Sequence, residues 1–161
     1  MSCCVGIIVK GENMKITDKD NELIEVATEL VKDNCDIYTS LGMHVGCALL
    51  GKSGKIYKGI NIKTSHSICA EQVAIGQALA CGEREFDTIV SVKMDNEGNV
   101  RVVSPCGLCR YTFEKMGFED LNVIVEDVYH GTILKVKTTD LLPYPYKRVA
   151  GASLKKDKKK K

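Results

Sequence analysis

Three cysteines and one glutamate constrain this chain most: Cys69-Ala70-Glu71 and, further on, Pro105-Cys106-Gly107-Leu108-Cys109. Cys106 and Cys109 are three apart, so on a helix both face the same way within one turn. With Cys69 beside them, three thiolates could hold one zinc ion. None of the other five cysteines has a second C-x-x-C partner. That count favours an open, water-bearing metal position over a closed structural site. His66, three residues ahead of Cys69, could close the site, although pocket-lining or loop roles suit its position better. Any admissible fold must deliver residue 69 and residues 106–109 to one place.

The order of elements shows how that could happen. Leu23, Ile24, Ala27, Leu30 and Val31 follow the spacing of a helix with one buried face, and Asp18 or Asp20 can cap its start. Val45 to Leu50, the turn Gly51-Lys52-Ser53-Gly54 and Lys55 to Ile62 read as a β-hairpin. A second helix is predicted from about Ile68 to Cys81, stopping at Gly82 and burying Val73, Ala74, Ala78 and Leu79. Thr88 to Val92 and Val100 to Val103 follow as strands. The next helix has Ser104 as N-cap, Pro105 at the first helical position and Gly117 as the stop. Asn122 to Glu126 and Thr132 to Val136 are further strands, and a short turn around Asp140 to Leu142 ends at Pro143.

This alternation implies an α/β fold of three layers, α/β/α, with a mixed, roughly five-stranded sheet. Both cysteine motifs fall where a strand or loop enters a helix. The free N–H groups of a first turn stabilise thiolates and lower their pKa. Glu71, two residues after Cys69, points elsewhere than its neighbour and suits a proton shuttle better than a second ligand. The competing reading is a solvated glutamate that merely complements the helix dipole.

Composition narrows the function classes. The tail Lys155 to Lys161 carries six of the 23 basic residues and one of the 21 acidic ones, so without it 17 bases face 20 acids, a net −3. A body of that charge argues against a nucleic-acid partner, and the lysine run reads as a solvated end. No apolar stretch approaches the ~20 residues that span a bilayer, and Met1 to Lys10 makes a poor signal peptide. Free thiols therefore suggest the cytosol. Cys47 and Cys81 sit in apolar contexts as small core residues, Cys35 follows the first helix, and Cys3 and Cys4 are adjacent near the start. The expected organisation is an N-terminal extension over 1–17, one zinc domain over 18–150 and a lysine-rich tail over 151–161.

Cys-Ala-Glu followed some 35 residues later by Pro-Cys-x-x-Cys is the signature of zinc nucleobase deaminases in their three-cysteine form. From about residue 20 to Tyr146 the chain resembles the cytidine deaminase family, within it the small enzymes that include blasticidin-S deaminases. Val45-Gly46-Cys47-Ala48-Leu49 is similar to its first core strand, and Gly59-Ile60-Asn61 to its ribose-binding strand end. Leu141-Leu142-Pro143 with Tyr146 resembles the segment that covers the pocket. The resemblance implies one zinc per subunit on Cys69, Cys106 and Cys109. It also implies Glu71 as proton shuttle, substrate contacts from Asn61, the Ala70 backbone and Tyr146, a free cytosine nucleoside as substrate and a homotetramer.

Three departures qualify it. Lys63 stands where the family usually has a ribose-binding glutamate, and the stretch from Asn61 to Cys69 is shorter than usual, closer to the blasticidin-S type. Gln72 occupies one of two arginine positions, which leaves Arg110 to hydrogen-bond the ligand sulfurs alone. Two other readings compete with a nucleoside deaminase. One is a catalytically idle zinc-binding relative, favoured by Lys63; the other is a polynucleotide-editing deaminase, favoured by the lysine tail.

Overall fold

The computed structural model describes residues 14–34, 42 and 44–146. Cys3, Cys4, Cys35, most of the N-terminal extension and the lysine tail lie outside the described residues. Residues 14–17 join the fold: Met14 bridges to Lys135, and Thr17 begins the first helix.

Helix α1 spans Asp18–Asn34. Leu23, Ala27 and Val31, one turn apart, are fully buried, which is the stripe the spacing predicts. Its cap is Thr17, whose hydroxyl accepts from the Asp20 N–H, while the Asp20 carboxylate accepts from the Thr17 N–H at 2.9 Å. Asp20 thus serves as the reciprocal partner of a capping box, and Asp18 is the first helical residue.

Strands β1 (Val45–Gly51) and β2 (Ile56–Ile60) form the expected hairpin, and α2 follows over Ala70–Ala80. Then come β3 (Phe86–Met94), β4 (Val100–Val103), α3 (Gly107–Lys115), β5 (Asn122–Asp127), β6 (Thr132–Lys137) and the single turn α4 (Thr138–Leu141). The sheet order is β2-β1-β3-β5-β6, with β4 also on β3, which makes six strands. β3 accommodates the extra one because it is nine residues long: Thr88 to Val90 pair in parallel with β5, and Ser91 to Met94 pair antiparallel with β4.

The two sheet faces carry separate cores. Ala48, Leu50, Val90, Val92 and Ile124 pack under α1, whereas Cys47, Leu49, Ile89, Val123 and Val125 pack under α2 and α3. Period-two alternation along each strand divides them, and the result is the three-layer α/β/α arrangement. Two glycines set the closest approaches. A Cβ on Gly46 would lie 2.7 Å from the Ala27 carbonyl oxygen of α1. One on Gly59 would run into the Ala70 carbonyl oxygen and lie 2.5 Å from the Ala74 nitrogen of α2.

Two predicted helix starts move. Cys69 caps α2, which buries Ala70, Glu71, Ala74, Ile75 and Ala78 and leaves Val73 and Leu79 only partly covered. Cys106, rather than Ser104, is the N-cap of α3, and Pro105 lies ahead of the cap as a buried residue. The cysteine and the Ser-Pro pair compete for the same start. Extended backbone at Cys106 (φ −67, ψ 169) places the cap there.

Candidate metal centre

Each cysteine owes its place to a helix end. The loop from β2 to α2 is pinned by reciprocal backbone bonds between Ile62 and Ile68, each 2.9 Å, which delivers Cys69 to the head of α2. On the neighbouring helix Cys106 is the cap and Cys109 lies one turn in, fully buried. The three Sγ atoms lie within 4.8 Å of one another, and Cys69 and Cys106 are 3.6 Å apart. Sulfurs at ~2.3 Å from a tetrahedral zinc are separated by ~3.8 Å, so the donor set and its spacing fit that ion.

The sulfurs differ in their protonation. Burial raises the Cys69 thiol to about 11, reinforced by the neighbouring Cys106 sulfur. Cys109 is pushed up by burial and by the charges of Glu71 and the other two sulfurs. Cys106 is also penalised by burial, yet bonds from the Cys109 N–H, the Cys69 and Cys109 thiols and the Leu108 N–H bring it below the usual thiol value. The helix-start N–H groups thus assist one cysteine of three, together with its neighbouring thiols; burial, reinforced by nearby negative charge, prevails at the other two.

Glu71 belongs to this cluster, not to solvent. It is 6% exposed, and burial raises its carboxyl above the ordinary range despite bonds from its own N–H and the Cys109 thiol. A merely solvated helix-start glutamate would be exposed.

The sequence profile of the cytidine and deoxycytidylate deaminase zinc-binding region matches residues 17–125. The chain belongs to this deaminase family. It is 35% identical over 144 residues to a blasticidin-S deaminase of Bacillus cereus, covering 85% of this chain and 99% of that one. It is 37% identical over 102 residues to a cytidine deaminase of Sporosarcina psychrophila, covering 62% and 71%. The crystal structure of a cytidine deaminase from Burkholderia pseudomallei aligns with a TM-score of 0.63 and 29% identity, over 81% of this chain and all of that one.

Other expected site residues of this deaminase-family chain fare differently. The Asn61 side-chain oxygen accepts from the Val45 N–H at 2.8 Å, which fixes the amide at the end of β2. Ala70 is buried at the first position of α2. Gln72 completes the cap of α2: its oxygen accepts from the Cys69 N–H at 3.3 Å, and its amide donates to Thr112 of α3 at 3.3 Å. A side chain read as a weak substitute for arginine thus ties together the two cysteine-bearing helices. Lys63 and His66 are both exposed in the loop.

Arg110 does not take the expected role. Among the described residues its guanidinium donates to the Pro105 carbonyl at 2.8 Å and the Leu141 carbonyl at 3.2 Å, rather than to sulfur. Backbone carbonyls ahead of α3 and at the end of α4 lie within its reach and carry concentrated negative charge. Tyr146 is 74% exposed, and its carbonyl accepts from Lys115 at the last turn of α3. Sequence reading passed over Ser91 and Thr112, and placed Cys47 only in the core, where it lies. A serine within the apolar run of β3 was the available signal for the first.

Proposed function

We propose that this chain is a zinc-dependent hydrolase that removes the amine from the cytosine ring of a free nucleoside, giving the uracil form and ammonia. The three-sulfur cluster with Glu71 buried at its side carries this reading. Zinc bound there would act as a Lewis acid and lower the pKa of water. Cys69, Cys106 and Cys109 would hold it. Glu71 would take a proton from the attacking water and return protons to the ring and the leaving amine as the C4–N bond gives way to C4=O. Its burial supports this role, because a carboxyl kept out of water is readily protonated and deprotonated within one cycle.

The remaining assignments follow from the same geometry. Val45 holds the Asn61 oxygen, and no hydrogen bond among the described residues engages the amide nitrogen, so it is the group offered to a sugar hydroxyl. The Ala70 backbone would face the ring edge. Full-length similarity to a blasticidin-S deaminase and Lys63 in place of a ribose-binding acid favour a bulkier cytosine nucleoside over cytidine. The domain would span 18–150.

Ile62, Ile68, Leu108 and Tyr111 are exposed apolar residues adjacent in sequence to the ligands or their loops; they support a homo-oligomer, a tetramer by the resemblance. The five cysteines among the described residues are all free, which suits a reducing compartment, and among the described residues no helix is long and apolar enough to cross a membrane.

The test is to incubate the zinc-loaded protein with cytidine, deoxycytidine and blasticidin S and follow ultraviolet absorbance as amine becomes carbonyl. Turnover that disappears in Glu71→Gln is expected. Silence on all three substrates with zinc bound would favour an idle zinc-binding relative. Removal of Lys155–Lys161 should leave turnover of these small substrates unchanged if the tail is merely solvated.

A further inference from the structure

Ser91 carries an unpaired polar atom inside the sheet. It is 4% exposed, and among the described residues its hydroxyl has no hydrogen-bond partner. A buried hydroxyl left unpaired is unfavourable, and rotation about its C–O bond lets it seek a neighbour. On β3, Ile89 packs in the α2 core, whereas Val90 and Val92 pack in the α1 core. By alternation Ser91 points to the α2 side. There it stands opposite Cys47 across the β1–β3 ladder. With Glu71 it lines one small cavity, whose other walls include Ile89, Val103, Pro105 and Phe113.

Cys47 and Glu71 are therefore the polar neighbours. Cys47 is wholly buried, and desolvation together with the Glu71 charge keeps its thiol protonated. It can donate a weak S–H bond and offers no anion. The Glu71 carboxylate is the stronger acceptor, and a hydroxyl bond to a carboxylate is about twice as strong as one between neutral groups.

We propose that Ser91 is a positioning residue for the reaction. Its O–H donates to one oxygen of the Glu71 carboxylate from the sheet side, leaving the other oxygen to exchange protons. The Cys47 S–H donates to Ser91 Oγ and so sets the direction of the pair. A carboxylate on a rotatable side chain would otherwise sample orientations that do not face the reacting atoms. Ser91 acts through Glu71 and does not touch substrate. This inference rests on the deaminase reading above.

Steady-state kinetics of the zinc-loaded Ser91→Ala variant, with zinc content and Tm measured alongside, provide the first test. We expect kcat to fall about tenfold, with KM, zinc content and Tm close to wild type. Ser91→Thr, which keeps the hydroxyl, should recover most of kcat. A crystal structure of the zinc-loaded wild type should place Ser91 Oγ ~2.7 Å from a Glu71 oxygen.

Unchanged kcat in Ser91→Ala, or a fall that tracks lost zinc or lowered Tm, would overturn the proposal. So would a crystal structure that pairs the hydroxyl elsewhere. If the wild type turns over no cytosine nucleoside, the deaminase reading fails first, and the Ser91–Glu71 bond is still decided by the crystal structure.

Discussion

Two carboxylates are buried on opposite faces of the sheet, and their surroundings differ in kind. Asp20, in the first turn of α1, accepts from the Thr17 N–H and hydroxyl and from the Lys135 ammonium at 2.8 Å. Burial opposes its ionisation, yet Lys135 and Thr17 together bring its pKa below the usual carboxylate value. Glu71, in the first turn of α2, has no cation within ion-pair distance among the described residues, and its pKa moves the other way. The first carboxylate is neutralised and satisfied, so it stabilises the fold. The second is costly to bury in its ionised form and is placed where a proton could be exchanged.

The sharpest way to break that contrast is to neutralise each carboxylate in turn. Glu71→Gln should reduce turnover by about a thousandfold while Tm holds or rises, because a buried charge has been removed. Retained turnover, or a large loss of Tm, would end the comparison. Asp20→Asn should do the reverse. It leaves Lys135, only 12% exposed at its side chain, without its anion, and urea denaturation should show a loss of about 3 kcal/mol. Activity per folded molecule should be unchanged.

A smaller effect separates the faces through their glycines. Gly46→Ala presses on α1 and Gly59→Ala on α2; each should cost about 1–3 kcal/mol. Only Gly59→Ala should lower kcat in the folded fraction, because α2 carries Cys69 and Glu71. Equal kinetic effects would mean that the two faces are coupled.

The smallest effect is acid sensitivity. Asp20 has a lower pKa folded than unfolded, so its contribution is fully present above the unfolded value of ~3.9 and is lost as pH falls through the folded value. Urea midpoints of wild type and Asp20→Asn should therefore converge below about pH 4.

Much of this was legible in local pattern. Leu23, Ala27 and Val31 announced α1, the glycine-bracketed turn announced the β1–β2 hairpin, and two short cysteine motifs announced a shared site. What escaped depended on contacts distant in sequence. Ser104 and Pro105 formed a convincing helix start, but the chain is still extended at Cys106. Thr17 was overlooked as a cap because two aspartates close by were equally suitable by type. Arg110 was assigned to sulfur by the family resemblance, whereas the Leu141 carbonyl that binds it is 31 positions away. Ser91 faces Glu71 only because β3 lies beneath α2, which no local window reveals.

Arg110 has a practical consequence for anyone building with this chain. One guanidinium joins the carbonyl of Pro105, the residue before Cys106, to that of Leu141 at the end of α4. A fusion partner attached just after Pro143 would pull on a metal ligand through two hydrogen bonds. One attached ahead of Met14 would pull instead on strand β6, through the Met14 bond to the Lys135 carbonyl. Reporters, tethers and surface anchors belong at the front of the molecule, or behind a slack spacer at its back.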